Sequence, residues 1–374
     1  MRISRDLQPI IEKHLFKKKV IIIYGARQVG KTTILKALEE KLASHTSRYL
    51  NCDEPDVRTA LTDKTSTELK AYLGDANIIF LDEAQRVKNI GLTLKLLVDN
   101  FPEMQIIATG SSSFDLANQI VEPLTGRKYE FILYPFSLEE LRQIQNIQEE
   151  KRTLEQRMIF GMYPEIVLKS SEAEELLRNI TRSYLYKDIL AFQNIRNPEV
   201  LDKLLQALAL QIGKEVSYRE LSNLLNIDQK TVANYIGILE KAFIVFTLKP
   251  YSRNIRNELK KLRKIYFYDL GIRNALINNL NPLSLREDVG GLWENFLLVE
   301  RMKKLENTEN SVNRYFWRTH QKAEIDYLEE KNGKLRAFEF KWGKKSARAP
   351  KAFSDAYQDA KFQVISKDNY EIFI

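Results

Sequence analysis

Gly25-Ala26-Arg27-Gln28-Val29-Gly30-Lys31-Thr32 spells a complete phosphate-binding loop, and its flanks decide the fold. The apolar run Val20 to Ile23 precedes it and reads as a buried strand. Thr33 to Leu42 follows, with Ile34, Leu35, Leu38 and Leu42 at helical spacing. Strand, glycine-rich loop and helix, in that order, turn a pattern match into a site. The glycines let main-chain N–H groups wrap phosphate oxygens, and the helix N-terminus adds positive potential. The nucleotide-binding set is therefore Gly25, Ala26, Arg27, Gln28, Val29, Gly30, Lys31, Thr32 and Thr33. Lys31 is placed for the β- and γ-phosphates, and the Thr32 hydroxyl for Mg2+. The implied ligands are ATP and Mg2+.

A second element supports this. Asn77-Ile78-Ile79-Phe80-Leu81 is a short apolar strand ending in Asp82-Glu83. An acid at the end of a buried strand is costly unless it meets a cation or a hydrogen-bond network. Asp82 fits the Mg2+-side carboxylate and Glu83 the base that orients an attacking water. The competing reading is an acidic cap for a helix opening at Ala84. Further strands are expected at Lys19–Tyr24, Ser47–Asn51, Met104–Thr109 and Lys128–Leu133, making one α/β unit from about Arg5 to Tyr134. The strand before Gly110 leads into Ser111, Ser112 and Ser113, where a hydroxyl could sense the γ-phosphate. Arg127 could reach phosphate in its own subunit or a neighbour's.

Composition bounds the rest. At 374 residues, two or three domains are expected, each able to bury a core. With 44% hydrophobic and 29% charged residues the chain reads as soluble globular protein. No apolar run is long enough to span a bilayer, and Met1 to Lys19 lacks a signal-peptide core, so a cytoplasmic location is expected. The single cysteine, Cys52, excludes an internal disulfide and reads as a structural thiol. His14, His45 and His320 are too dispersed to suggest zinc. The net charge of +8 leans towards an anionic partner. Arg253, Arg256, Lys260, Lys261, Arg263 and Lys264 form one basic cluster, and Lys341, Lys344, Lys345, Arg348 and Lys351 another. Phosphate contact and a solvated face are equally compatible with both.

Pro135-Phe136-Ser137 changes the rhythm. Ser137 with Glu140 makes a capping box, and helical patterns follow at Thr153–Phe160, Ala173–Phe192 and Glu199–Leu210, with a turn at Gly161-Met162-Tyr163-Pro164-Glu165. Ser217 to Phe246 reads as helix–turn–helix plus strand: Tyr218–Leu225, a turn at Asn226-Ile227-Asp228, Gln229–Lys241, then a wing strand from Phe243 to Leu248. Winged-helix architecture follows, with Gln229, Lys230, Asn234 and Tyr235 as the candidate DNA-binding residues. Such a unit also serves as a protein-interaction scaffold.

The last segment carries a second candidate site. A helix from about Leu292 to Lys304 precedes strands at Arg314–Arg318, Ala323–Leu328 and Leu335–Trp342, then a helix near Phe353–Ala360 and a strand Phe362–Ile365. Strand alternation puts Glu324 and Asp326 on one face, opposite Ala323, Ile325 and Tyr327. It likewise puts Glu339 and Lys341 on a face opposite Phe338, Phe340 and Trp342. Carboxylates and a lysine converging across paired strands can hold a divalent ion against a phosphodiester, with Glu294 adding an oxygen. Alternation of acids along a strand with one wet face is the competing reading.

Taken in order, Gly25–Thr32, Leu81-Asp82-Glu83-Ala84-Gln85, Thr109-Gly110-Ser111-Ser112, Thr125-Gly126-Arg127, Pro135-Phe136-Ser137, Gly161 to Glu165, Glu324-Ile325-Asp326-Tyr327 and Phe338-Glu339-Phe340-Lys341 form a set. With these landmarks nearly the whole chain resembles the bacterial and archaeal AAA+-like ATPases that join an AAA_14 module to a DUF4143 region. The resemblance implies an ASCE-type core with a strand added between the loop strand and the Asp82 strand. It implies Ser112 as a first-sensor residue and Arg127 as a finger or sensor arginine. It makes the tail similar to a restriction-endonuclease-like PD-(D/E)xK fold, with Asp326, Glu339 and Lys341 on its motif. The usual proline before the acid is replaced by Ile325.

The sequence thus predicts a P-loop ATPase domain at 1–134, a helical lid or linker at 135–212, a winged helix at 213–252 and a nuclease-like α/β domain at 253–374. The expected function is ATP hydrolysis coupled to nucleic-acid binding, DNA favoured over RNA, with nuclease activity and a second divalent metal in the tail left open. Two alternatives stand beside it: a nucleotide switch whose tail binds a protein without cleavage, and an ATP-gated winged-helix regulator. A homo-oligomer is a candidate assembly, and no membrane partner is expected.

Overall fold

The computed structural model describes residues 3–110, 123–184, 197–251, 263–319, 321–343 and 346–374. The chain divides into two compact units, Met1–Phe136 with Lys241–Phe243, and Ser137–Glu240 with Ile244–Ile374. Among the described residues no helix is long and apolar enough to cross a membrane.

The first unit is built on five parallel strands. β1 (Val20–Tyr24), β2 (Ser47–Asn51), β3 (Ile78–Asp82), β4 (Gln105–Gly110) and β5 (Lys128–Ile132) run in the order β2-β3-β4-β1-β5. β4 is the strand inserted between the loop strand and the Asp82 strand. β1, β3 and β4 are buried at every position, which is why they read as unbroken apolar runs, whereas edge strands β2 and β5 are partly wet. Helices Lys31–Lys41, Ser66–Leu73 and Ile90–Asn100 bury Leu35 and Leu38, Leu69 and Leu73, and Leu94 and Leu97. Because all five strands run the same way, the ends of β1, β3 and β4 open onto one edge of the sheet. Arg127 lies just before β5, whose Lys128 pairs with Val20 at the start of β1. It is therefore at the opposite edge.

The second unit begins with helices Leu138–Leu141, Ile147–Phe160, Pro164–Leu168, Ala173–Tyr184 and Pro198–Leu210. Ser137 and Glu140 form the reciprocal cap expected of them. Gly161 ends the second helix at φ +82°, where a Cβ would lie 2.0 Å from Asp269 Oδ1, so only glycine fits that turn. A seven-stranded sheet follows, in the order β12-β11-β10-β9-β7-β8-β6. Its members are β6 (Glu215–Val216), β7 (Val245–Pro250), β8 (Arg263–Phe267), β9 (Asn313–Arg318), β10 (Glu324–Lys331), β11 (Lys334–Phe340) and β12 (Lys361–Ile365). The strands expected in the wing and in the tail thus belong to one sheet, joined where β7 pairs in parallel with β9.

Two local features shape the tail. Asn332 and Gly333, at φ 53° and 76°, give β10 and β11 the two-residue turn suited to their twist. A register shift between Ile325 and Leu328 interrupts the β9–β10 ladder. Ile325 consequently packs with Trp317, Leu328, Ala337 and Phe353, while Tyr327 stacks among Phe338, Phe340 and Phe373. Strict alternation had put Ile325 and Tyr327 on one face; the bulge separates them.

Candidate nucleotide site and tail cluster

The loop between β1 and the Lys31–Lys41 helix is held open by its own backbone. Gly30 takes φ +99° at the helix N-cap and Gln28 takes φ +62°. Val29 is fully buried under the loop while Gln28, Thr32 and Thr33 are exposed. Lys31 is only 5% exposed, and its Nζ donates to the Gly25 and Ala26 carbonyls at 3.0 and 2.9 Å. Arg5, absent from the sequence reading, braces the loop from below. Its Nη1 donates to the Val29 carbonyl at 2.6 Å, its Nη2 to the Tyr134 carbonyl, and its guanidinium lies 4.9 Å from the Phe136 ring centre.

Asp82, at the end of β3, is the hub. Thr32 Oγ1 donates to its Oδ2 at 2.7 Å, Tyr49 OH donates to the same oxygen at 2.6 Å, and Thr109 Oγ1 donates to Oδ1 at 2.6 Å. Three hydroxyls from β2, β4 and the loop helix thus orient one buried carboxylate. Burial, then the Asp82 carboxylate, raises the Tyr49 phenol above its ordinary range, so Tyr49 acts as a donor only. Glu83 follows in a left-handed conformation, φ 55° and ψ 42°, an uncommon placement for a non-glycine residue. Its N–H donates to Thr109 Oγ1 at 3.1 Å, and Gln85 Nε2 donates to its Oε2 at 2.5 Å. Cys52 is buried, and burial followed by Asp82 pushes its thiol up to about 12. It is a structural thiol by this chemistry.

Ser111 and Ser112 lie outside the described residues. Arg127 donates from Nε to Asp99 at 2.6 Å. It is one strand length, roughly 15 Å, from the loop, farther than an arginine reaches. Contact with phosphate bound in its own subunit is excluded.

The residues present fit Mg2+ and a triphosphate: one carboxylate, one hydroxyl already converging on it, and an ammonium folded into a loop of main-chain amides. Fold and loop together place the first unit in the P-loop NTPase class of α/β folds. Residues 17–142 match an AAA domain, AAA_14, and residues 151–283 and 289–372 match two domains of unknown function, DUF8612 and DUF4143. These matches bear out the resemblance to the AAA+-like ATPases that join an AAA_14 domain to a DUF4143 region. An uncharacterized protein of Mycobacterium tuberculosis is 29% identical over 343 residues, which cover 90% of this chain and 73% of that protein. One from Methanocaldococcus jannaschii is 27% identical over 347 residues, 87% of this chain and 74% of that protein. The fold is also that of the Walker-type ATPase paby2304 of Pyrococcus abyssi, with TM-score 0.50 over 74% of this chain and 96% of that one, at 16% identity.

In the second unit, Gln229, Lys230 and Asn234 are exposed on the Gln229–Lys241 helix, but Tyr235 is only 6% exposed. It shares the inward face with Val232, Ile236 and Leu239, at the helical period, and is withdrawn from the DNA-binding set. The first basic cluster lies mostly outside the described residues. Arg263 donates to Tyr218 OH at 2.8 Å, and Lys264 is 1% exposed, so Lys264 is no phosphate contact. In the second cluster Arg348 and Lys351 are exposed, Lys341 pairs with Glu339, and Lys344 and Lys345 lie outside the described residues.

The structure does bring Glu294, Glu324, Asp326, Glu339 and Lys341 into one neighbourhood. It adds Lys264 and Tyr266 from β8, which sequence spacing could not bring in. Lys264 Nζ donates to Glu294 Oε1 at 2.9 Å and pairs with Glu324; Tyr266 OH donates to Glu294 Oε1 at 2.5 Å. Arg318 Nη1 lies 3.5 Å from Glu324 Oε2. Asp326 Oδ2 accepts the Phe340 N–H at 2.7 Å, and Lys341 Nζ donates to Glu339 Oε1 at 2.6 Å. Burial, then Glu294 and Glu339, push the Asp326 carboxyl well above the ordinary carboxylate range. Burial also raises the Glu294 carboxyl, even against Lys264 and Tyr266. These residues do not fit the second divalent metal expected of the tail. An ammonium already occupies the space between two of the carboxylates. No group of three His, Cys, Asp or Glu among the described residues is arranged to hold a metal ion.

Proposed function

We propose that the protein binds ATP with Mg2+ on the Gly25–Thr32 loop, hydrolyses it, and uses nucleotide state to control how its second unit engages nucleic acid. The observation that carries the first part is the Asp82 carboxylate, clamped by Thr32, Tyr49 and Thr109 beside an inward-turned Lys31. When bound, Mg2+ would be held by Thr32 and Asp82 and would neutralise phosphate charge. Lys31 exchanges its two loop carbonyls for phosphate oxygens. Glu83, steadied through Oε2 by Gln85, takes the proton of the attacking water at Oε1. Thr109 couples the two acids, since it donates to Asp82 and accepts from the Glu83 N–H. Arg127, too far from its own loop, acts on the nucleotide of a neighbouring copy in a homo-oligomer.

The nucleic-acid part is supported by the helices Pro198–Leu210, Tyr218–Leu225 and Gln229–Lys241 with the antiparallel strands β6, β8 and β7. This arrangement supports a winged-helix reading in which β8, beyond the expected boundary at residue 252, takes part. Gln229, Lys230 and Asn234 project from the first half of its second exposed helix, the geometry suited to a B-form major groove and hence to DNA over RNA.

Glu83→Gln is expected to retain bound ATP while turnover falls by about 100-fold. Duplex DNA is expected to stimulate turnover of the wild type, with binding that weakens steeply as salt rises. Turnover unchanged in Glu83→Gln refutes the hydrolytic assignment. Turnover and binding indifferent to DNA refute the coupling and favour a protein partner.

A further inference from the structure

We propose that Lys264 is the resident cation of the tail: it takes the place that a divalent metal would hold among the carboxylates and closes that cluster to metal. The inference goes beyond the nucleotide site and does not depend on it.

The cluster gathers four acids, Glu294 from the Val289–Asn307 helix, Glu324 and Asp326 from β10, and Glu339 from β11. Four carboxylates in a buried neighbourhood require positive charge. Lys264 supplies it to Glu294 and Glu324, and Lys341 to Glu339. The Lys264 ammonium bonds Glu294 and Glu324 together, 5.5 Å from the centre of the Phe316 ring. Two carboxylates paired with one buried ammonium favour its charged form.

Nor can it leave easily. β8 is an interior strand, with Lys264 opposite Leu248 on one side and Glu215 on the other. A side chain 1% exposed on such a strand is enclosed by its neighbours. A dication arriving beside this fixed ammonium would meet repulsion as well as shared ligands. One oxygen in the cluster, Glu339 Oε2, is buried without a hydrogen-bond partner. Lys264 does not bond this oxygen, which is the ligand atom an ion entering the cluster would use. In this reading the tail does not cut a phosphodiester. Its acids and Lys264 form a strut linking β8, the long helix and β10.

Mn2+ binding to the nucleotide-free full chain tests this, by calorimetry and by the electron paramagnetic resonance signal of free Mn2+. Wild type and Asp326→Asn are expected to bind Mn2+ alike, any shared component belonging to Asp82. Lys264→Met, which keeps the stem and removes the charge, is expected to bind at least tenfold more tightly than wild type. Lys264→Met combined with Asp326→Asn should lose that gain. A wild-type component abolished by Asp326→Asn overturns the proposal, and this comparison holds even if Lys264→Met fails to fold. A folded Lys264→Met that gains no affinity overturns it equally.

Discussion

Tyr49 shows how much a single hydroxyl can contribute to a site without touching the reacting atoms. It shares Asp82 Oδ2 with Thr32, and so fixes the carboxylate before any ligand arrives. Tyr49→Phe leaves the ring in place and removes only that bond. The Mg2+ concentration needed for half-maximal ATP turnover is expected to rise about tenfold, the scale of losing an outer partner of a metal ligand. Turnover at saturating Mg2+ should be nearly restored, which a merely destabilised fold would not allow; equal loss at all Mg2+ concentrations would refute the positioning role. Nothing about Tyr49 was legible in sequence, because its partner lies 33 residues away on the neighbouring strand. Arg5 escaped notice for the same reason. The spacing of Gly25 to Thr32, by contrast, identifies the loop without any tertiary information, since all its groups are local.

At the scale of elements, the Val289–Asn307 helix is unusual in burying charge on several sides. Asn295 imitates a strand: its amide accepts the Phe267 N–H and donates to the Phe267 carbonyl, both at 2.8 Å. Glu300 accepts the Leu138 N–H at 2.8 Å and pairs with Lys303 at 2.6 Å. Arg301 forks onto Glu329 at 2.6 and 2.9 Å and donates to the Phe373 carbonyl at 2.7 Å. Arg301→Met is expected to destabilise the second unit by about 3 kcal/mol, because Glu329 would be left buried and unpaired. Adding Glu329→Gln should recover most of the loss. Urea denaturation followed on both variants checks this, and an additive second loss would refute the account. The existence and type of most described elements were readable from apolar period and capping residues. The bulge in β10 was not, since an extra residue between paired strands is a property of the pair.

For the whole molecule, the position of Arg127 sets a requirement on assembly. Paired with Asp99 at the edge of the sheet away from the loop, it is out of reach of its own nucleotide, and its proposed role is on that of another copy. Arg127→Ala is therefore expected to lower specific ATP turnover where wild type is oligomeric and to make no difference in dilute monomer. Turnover measured across protein concentration, alongside mass from light scattering, tests it. A loss that is the same at every concentration would mean that Arg127 acts through its own fold.

The order of residues along the chain determined the nucleotide loop, the α/β pattern of the first unit, the helices and their caps, and the identity of the acids in the tail. Each depends on contacts within a few residues or on a hydrophobic period. Only the tertiary structure decided that Tyr49 and Thr109 share Asp82, that Tyr235 faces inward, that Arg127 stands at the far edge, and that Lys264 lies among the tail carboxylates. Those outcomes come from strands and helices distant in sequence meeting in space, and burial then decides which charges must find partners.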